Sequence, residues 1–226
     1  SLYNVGFAAG IIATVAMSLA KSFGIQVRSR LIWSVGNNGR FSILLSLLFL
    51  TMIGIGILVQ GKGILGAYRR ILKTSGISGT DYLRDEGGAA TLFNMGINGL
   101  FATWFVLAVG GELNGPVICG IFTIVGFSAT GKHLRNIVPI MLGVYLASFT
   151  KVWSIEQPSP LLALLFSTTL APVAGKFGPI AGIIAGYLHS SVAIHIGVVY
   201  GGMNLYNNGF AGAIVAIFMV PVIQAI

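Results

Sequence analysis

The sequence has very little charge. Asp, Glu, Lys and Arg together make up 8% of its 226 residues, whereas ordinary soluble domains carry about 25%. The last 50 residues, Phe177 to Ile226, contain none of the four. A water-soluble domain with such a stretch would aggregate, but a lipid bilayer holds it provided that helices satisfy the backbone hydrogen bonds. The shortage of charge therefore excludes a soluble globular protein and predicts an all-α integral membrane protein.

Signals for catalysis and for metal binding are also missing. The sequence has no His-Glu-x-x-His motif, no P-loop and no Gly-x-Ser-x-Gly motif. Asp81 and Asp85 fall in one loop, so they do not form a pair of intramembrane aspartates. His189 and His195 are six residues apart, which on a helix places their rings about 120° from each other rather than at a zinc-chelating spacing. Cys119 is the single cysteine, so no internal disulfide forms. We expect no catalytic residue, no cofactor and no metal site, and hence no enzyme.

Acidic residues are scarcer than basic ones, with 5 against 13 and a formal net charge of +8. The basic residues lie in short segments between apolar runs, which is the pattern of loops beside a membrane. No zinc-finger spacing or RNA-binding aromatic motif accompanies them. We therefore expect the lipid bilayer, and not nucleic acid, to be the partner of this positive charge.

Long apolar runs are what the sequence has in abundance. A membrane-spanning helix needs about 20 mostly apolar residues. Eight runs are candidate spans: 3–24, 41–60, 90–110, 114–130, 136–151, 159–175, 178–199 and 204–225. Because the runs at 136–151 and 159–175 are short, we expect some of the helices to be broken or re-entrant.

The segment 62–75, between the second and third predicted spans, has a different pattern. Its apolar residues recur at helical spacing and its basic residues take the other face. This pattern predicts a short amphipathic helix that lies in the membrane surface. A solvated loop is the alternative.

Three segments share the form Leu-aromatic-Asn-x-Gly-apolar, at 2–7, 92–97 and 205–210. The first and third are 203 residues apart, and seven predicted spans begin within that offset. An odd number gives the two copies opposite orientations, as in transporters built from inverted repeats. Asn favours caps and Gly tolerates unusual dihedral angles, so the element predicts helix breaks beside a polar cavity. The alternative is that each Asn forms hydrogen bonds between unbroken helices.

Polar residues within or between these apolar runs are the candidates for a solute pathway. Asparagines at helix breaks would line or cap it, and two histidines would add contacts or relay protons. Glu112 lies between two predicted spans, where it either couples transport to an ion or is solvated in a surface loop. The candidate pathway residues are Asn94, Asn98, Glu112, Asn114, His189, His195, Asn207 and Asn208. Lys132, His133 and Arg135 either meet an anionic substrate or lipid headgroup or form an ordinary cytoplasmic turn.

Segment 113–146 contains a Gly-Phe-Ser-x-x-Gly-Lys block followed by Asn-Ile-x-Pro-Ile. With the opening Leu-Tyr-Asn-Val-Gly-Phe-Ala-Ala-Gly and the ending Met-Asn-Leu-Tyr-Asn-Asn-Gly-Phe-Ala-Gly, it resembles a bacterial family of multi-pass membrane proteins known as domain of unknown function 1576. The resemblance implies two tandem copies of one unit, each ending in the Leu-Tyr-Asn element. Residues 1–24 would be the tail of an upstream copy and 88–226 the main repeat unit. The expected protein partner is therefore an upstream half or a second copy of the chain.

These observations predict a single polytopic transmembrane domain over residues 1–226, with a repeat-built, transporter-like architecture of about eight helices in the bacterial plasma membrane. We expect a secondary transporter or a channel-like permease for a small solute. The alternative is a membrane accessory or sensor subunit that moves no solute. In that alternative the helices would be continuous, each Asn would bond to a neighbouring helix, and no cavity would be present.

Overall fold

A computed structural model describes residues 2–25, 31–201 and 207–225, and every regular element in these ranges is helical. Ten α-helices and two short 3₁₀ segments follow each other along the chain. The α-helices are α1 (Leu2–Ser22), α2 (Asn38–Gln60), α3 (Ile64–Ile71), α4 (Tyr82–Ala108), α5 (Gly115–Phe127), α6 (Leu134–Ala147), α7 (Pro158–Phe166), α8 (Ala171–Phe177), α9 (Pro179–Ile196) and α10 (Asn207–Ala225); the 3₁₀ segments are Gly61–Gly63 and Ser167–Leu170.

Six helical segments in the described ranges are long and apolar enough to cross a membrane. They are Val5–Ser22, Asn38–Ile71, Tyr82–Ala108, Pro158–Phe177, Pro179–Ile196 and Asn207–Ala225. The prediction of an all-helical chain is therefore confirmed over the described residues, and these six segments are candidate membrane-spanning helices. The count of eight spans is not confirmed, because the predicted spans 114–130 and 136–151 correspond to α5 and α6, which have only 13 and 14 residues.

Helices α2 and α4 form an antiparallel pair that defines two ends of the bundle. At one end, which we call the Asn38 end, Asn38 Nδ2 donates to Gly111 O at 3.1 Å and Leu113 N donates to Asn38 Oδ1 at 2.6 Å. At the other, which we call the Arg70 end, the Arg70 guanidinium forms a bidentate ion pair with Glu86, with Nη2 to Oε2 at 2.7 Å. The position of a residue along α4 therefore measures its distance from each end of the bundle.

Within the segment 62–75, for which an amphipathic helix in the membrane surface was predicted, the structure has the helix α3 over Ile64–Ile71; its place at a membrane surface stays a prediction. Its apolar face packs against α4, where Ile64 and Ile71 are buried with Phe93. Its basic residues Arg69 and Arg70 are on the exposed side. The apolar stripe is thus used at least in part for contact with protein.

Helices α5 and α6 are joined by a short turn, enter the bundle and return to the same end, and we call this unit the α5–α6 hairpin. Helix α5 packs against α4 and α7, whereas α6 packs against α9. At 1.5 Å per residue α5 and α6 are about 20 Å long, which is shorter than the hydrocarbon core of about 30 Å. Asn114 fixes the start of α5 at the Asn38 end, because its Nδ2 donates to Ser34 O at 3.0 Å. The segment after α6 returns there too, since Glu156 lies beside Gly110 at the end of α4.

Helices α1 and α10 pack against each other through two copies of the repeated element. A Cβ on Gly6 would lie 3.1 Å from Gly209 Cα, and the rings of Phe7 and Phe210 are 5.6 Å apart between centroids. Both contacts join residues that are 203 positions apart, so equivalent residues meet each other, as they do at a two-fold axis. Leu205 and Tyr206 of the third copy lie outside the described residues.

The helix break predicted for the Asn-x-Gly element is wrong at the copy of residues 92–97. That copy lies inside α4, whose one residue with non-helical dihedral angles is Gly87. The side-chain amide of Asn94 bonds to another segment and leaves the backbone ladder of its own helix intact. Gly96 allows close packing, since a Cβ there would lie 2.8 Å from Phe49 O of α2.

Candidate solute-pathway site

The turn between α5 and α6, which we call the Gly131 turn (residues 128–133), lies beside the middle of α4. Asn94 Nδ2 donates to Ser128 O at 2.7 Å and to Lys132 O at 2.8 Å, and Asn98 Nδ2 donates to Ser128 Oγ at 2.7 Å. Asn94 and Asn98 follow the kink at Gly87 by 7 and 11 residues, or about 10 and 16 Å of a helix that runs on for about 31 Å. The tip of the hairpin is therefore well inside the bundle.

Asn136 and the loop before α4 also hold the Gly131 turn in place. Asn136 Nδ2 donates to Gly131 O at 2.8 Å, and Asn136 Oδ1 accepts from His133 N at 3.0 Å, which closes the first turn of α6. His133 Nε2 donates to Thr74 O at 3.0 Å, and Gly76 packs directly on Gly131. The loop between α3 and α4, which begins at the Arg70 end, therefore contacts the tip of the α5–α6 hairpin, which begins at the Asn38 end.

Lys132 places a cation inside this turn. Its side chain is 5% exposed, and Nζ donates to Thr168 Oγ1 at 2.8 Å. None of the five carboxylates of the chain forms a salt bridge with it, because the ion pairs among the described residues are Arg70–Glu86 and Arg84–Asp85. A buried ammonium without a counter-charge is costly. This cost is removed if an anion binds beside Lys132 Nζ or if the ammonium loses a proton.

The 3₁₀ segment Ser167–Leu170 interrupts the span formed by α7 and α8, and it links Lys132 to His189. Thr168 accepts from Lys132, whereas the next residue, Thr169, packs against Gly212 of α10. A Cβ on Gly212 would also lie 3.8 Å from His189 Nδ1. His189 is fully buried; its Nε2 donates to Asn208 Oδ1 at 3.1 Å, and its Nδ1 has no hydrogen-bond partner. Lys132 of the Gly131 turn therefore lies on one side of the 3₁₀ segment, and His189 of α9 lies towards the other side.

A cavity of about 780 Å³ opens beside the Gly131 turn. Its walls come from the loop 76–80, the end of α5 with the turn, the segment 169–177, one side of α10, and Phe7 of α1. Lys132 and Thr169 both line it. The two irregular segments therefore share a cavity large enough for a small organic molecule.

The structure brings four of the predicted pathway residues to this region. Asn94 and Asn98 hold the Gly131 turn, and the side-chain oxygen of each is buried without a hydrogen-bond partner. His189 and Asn208 form the polar contact between α9 and α10. Asn207 lies next to it, where its Nδ2 donates to Ala193 O at 2.9 Å.

Two predicted residues, one near the C-terminal end of α9 and one at the start of α10, make local contacts. Asn207 Oδ1 accepts from the hydroxyl of Tyr200, and burial raises the pKa of Tyr200 to about 12. His195 is exposed, and its Nδ1 donates to Ser191 O of its own helix at 2.8 Å. Nearby, Lys151 Nζ donates to Tyr187 O at 3.0 Å and to the hydroxyls of two serines, and burial lowers the pKa of Lys151.

Glu112 and Asn114 are not part of this cluster. Both lie at the Asn38 end, where Glu112 Oε2 accepts from Gly36 N at 3.0 Å. Asn114 Oδ1 caps α5 by accepting from Val117 N at 3.3 Å. Their observed contacts organise the loops that start the hairpin. No group of three His, Cys, Asp or Glu side chains that could hold a metal ion is found within residues 2–25, 31–201 and 207–225.

Sequence reasoning missed several members of the site and left Lys132 undecided between a ligand contact and a solvated turn. The burial of Lys132 and His133 shows that the turn is not an ordinary solvated one. Asn136 stands three residues after His133, the spacing at which a side chain in the first helical turn can accept from the backbone N–H of the N-cap residue. No sequence signal marked Ser128 or Thr168, because isolated hydroxyl residues are common in membrane helices.

The sequence model of one protein family, described as "Protein of unknown function (DUF1576)", matches residues 60–225. The matched range covers nearly three quarters of the chain and includes the hairpin, the interrupted span and most of the cavity wall. No curated protein and no solved structure matches the chain.

Proposed function

We propose that this chain, which belongs to the DUF1576 family of proteins of unknown function, is a secondary transporter or channel-like permease for a small solute in the bacterial plasma membrane. The observation that carries the proposal is the meeting of two irregular segments inside the bundle. The tip of the α5–α6 hairpin and the 3₁₀ break Ser167–Leu170 approach each other where Lys132 Nζ donates to Thr168 Oγ1.

Irregular backbone is expensive at membrane depth, and it persists only where protein buries it or where it lines a water-filled cavity. Both conditions hold here: Asn94 and Asn136 satisfy carbonyls of the Gly131 turn, and the cavity lies beside that turn. Transporters place their substrate between discontinuous helices near the middle of the membrane. A protein that only needs a scaffold has no use for such breaks.

The proposal gives each group a role. Lys132 and Thr169 line the cavity and face the solute or the water that precedes it. Thr168 holds the Lys132 ammonium by accepting its hydrogen bond, and His189 forms the polar boundary towards α10. Asn94, Asn98 and Asn136 position the turn and do not touch the solute. The solute passes without covalent change, so no residue is assigned to catalysis.

The contact between α1 and α10 supports an inverted-repeat arrangement. Gly6 meets Gly209 and Phe7 meets Phe210, so the two copies of the element contact each other through equivalent residues. We propose that a second repeat unit, supplied by an upstream half or by another copy of the chain, would pack across this contact and complete the pathway.

A non-transporting accessory or sensor subunit is the second candidate. One observation favours it: the amide nitrogens of Asn94 and Asn98 are all engaged by protein atoms, as expected of asparagines that only join helices. The interrupted span and the cavity favour transport over this candidate.

Solute entry into proteoliposomes tests the proposal. Stopped-flow light scattering would follow entry of glycerol, alanine, acetate and octanoate into vesicles that contain the purified chain. Transport predicts faster entry of at least one of these than into protein-free vesicles, and a marked slowing in Thr168→Val. Thr51→Val makes the same substitution at an exposed position of α2 and should leave entry unchanged. Entry equal to protein-free vesicles for all four solutes contradicts the proposal.

A further inference from the structure

The cavity beside the Gly131 turn has an unequal distribution of charge. Among the described residues, the ionisable ones that line it are two lysines, Lys132 and Lys176, and none of them is acidic. Four hydroxyl residues accompany them: Ser78, Thr80, Thr130 and Thr169. The potential inside the cavity is therefore positive, with hydroxyl donors near the charge, which disfavours a cationic ligand.

Lys132 has unused capacity to donate hydrogen bonds. An ammonium has three donors, and the hydrogen bond recorded for Lys132 Nζ is the one to Thr168 Oγ1. Thr168 Oγ1 itself donates to Leu165 O at 2.7 Å, which leaves its oxygen as the acceptor. The carboxylates of Asp85, Glu86 and Glu112 are engaged elsewhere.

Much of the remaining lining of the cavity is apolar. Phe7, Phe127, Leu170, Ile217 and Val220 supply it, and Ile217 is 55% exposed on the outer side of α10. A small hydrophilic anion such as phosphate would leave this apolar lining unused. A volume of about 780 Å³ is in the range of pockets that enclose a small organic ligand.

We propose that this cavity binds a monoanion with an apolar body, of the kind represented by a medium-chain carboxylate. Its charged group contacts Lys132 Nζ and the neighbouring hydroxyls, and its hydrocarbon part lies along α10. Lys176, which is exposed at the Arg70 end of the cavity, attracts the anion to the opening. This inference names the substrate class of the transport site and so rests on the proposed function.

Binding of octanoate to the full chain in phosphatidylcholine nanodiscs tests the inference. Equilibrium dialysis with radiolabelled octanoate would measure affinity, and empty nanodiscs would give the background. Lys132→Met removes the charge inside the cavity. Lys62→Met removes one from an exposed position that does not line the cavity. We expect Lys132→Met to weaken binding by about 10-fold to 100-fold, the range for loss of a hydrogen bond to a charged group, and Lys62→Met to bind as the wild type does.

A second variant covers the case in which Lys132→Met does not fold. Ala213→Phe fills the cavity from the α10 side and keeps Lys132; it should abolish octanoate binding. Octan-1-ol, which has the chain but no charge, should not displace octanoate. Wild-type affinity in Lys132→Met or in Ala213→Phe overturns the inference, and so does the absence of binding by both octanoate and oleate.

Competition by oleate separates the two sources of such an anion. Displacement of octanoate by oleate assigns the ligand to the bilayer, whereas displacement by hexanoate without oleate assigns it to the aqueous phase; either result supports the inference. Octanoate binding that depends on Lys132, without solute entry into proteoliposomes, contradicts transport but supports the binding site. Solute entry that does not depend on Lys132 supports transport but contradicts the inference that the anion binds at Lys132.

Discussion

Gly76 packs so closely on Gly131 that neither has room for a side chain. A methyl group on Gly76 would overlap the carbonyl oxygen of Gly131, which accepts a hydrogen bond from Asn136, and one on Gly131 would lie 2.8 Å from Gly76 O. Both glycines also have positive φ, at 69° and 138°. The contact joins the loop from the Arg70 end to the tip of the hairpin, so it fixes the depth of Lys132.

Gly76→Ala should destabilise the protein more than Gly79→Ala. Gly79 also has positive φ, at 99°, but a Cβ there meets nothing within 4 Å. Both variants place an L-residue in left-handed backbone, at about 1–2 kcal/mol, and Gly76→Ala adds an overlap that costs about 1–3 kcal/mol more. Thermal unfolding in detergent, followed by tryptophan fluorescence, should therefore give a lower Tm for Gly76→Ala. Equal Tm values would show that the contact with Gly131 is not tight.

The all-helical fold and six of the eight predicted spans match the structure, because long apolar runs report the environment of a helix directly. The path of α5 and α6 was not predictable, since an apolar run does not record whether its helix crosses the membrane or turns back inside it. Asn94 and Asn98 help to set that depth, and they bond to the Gly131 turn 30 or more residues away in sequence. Long-range contacts of this kind leave no local pattern.

The candidate site was predicted only in part, because contacts between residues that are distant in sequence bring its members together. Asn94 was expected to break its helix, but its amide found carbonyl partners on another segment. Lys132 stands in a Gly-Lys-His-Leu-Arg stretch that reads like a surface turn, and its burial depends on Thr168, 36 residues further on. The type of a polar residue was therefore a better guide to membership of the candidate site than its neighbours in sequence.

Gly6→Val should separate α1 from α10. A Cβ on Gly6 already meets the Gly209 backbone at 3.1 Å, so the larger side chain must push the helices apart and weaken the contact between Phe7 and Phe210. Gly54→Val makes the same change in α2 where nothing lies within 4 Å. Hydrogen exchange measured by mass spectrometry should rise in 5–22 and 207–225 for Gly6→Val alone. Unchanged exchange in those segments would argue against the packing of equivalent residues.

Asn94→Ala should loosen the Gly131 turn without unfolding the bundle. The substitution removes hydrogen bonds to Ser128 O and Lys132 O and leaves both carbonyls without that partner. Hydrogen bonds between membrane helices contribute about 1–2 kcal/mol in peptide models, so we expect a lower Tm and faster hydrogen exchange in residues 128–136. Asn37→Ala removes an asparagine whose hydrogen bonds are exposed and should change little. Equal effects of the two variants would mean that Asn94 does not hold the turn.

Cysteine labelling should distinguish the two faces of the 3₁₀ break. Cys119 is exposed, so it must first be replaced by serine. In that background Thr169→Cys places a thiol on the cavity wall, whereas Ser167→Cys, two residues earlier, places one at a fully buried position. A membrane-impermeant maleimide added to proteoliposomes should modify the first thiol and not the second, because water reaches the break through the cavity. Octanoate should slow the reaction at position 169 if anion and reagent share the cavity. If neither thiol reacts from either side of the membrane, the cavity is sealed from water, and a continuous pathway through the break is contradicted.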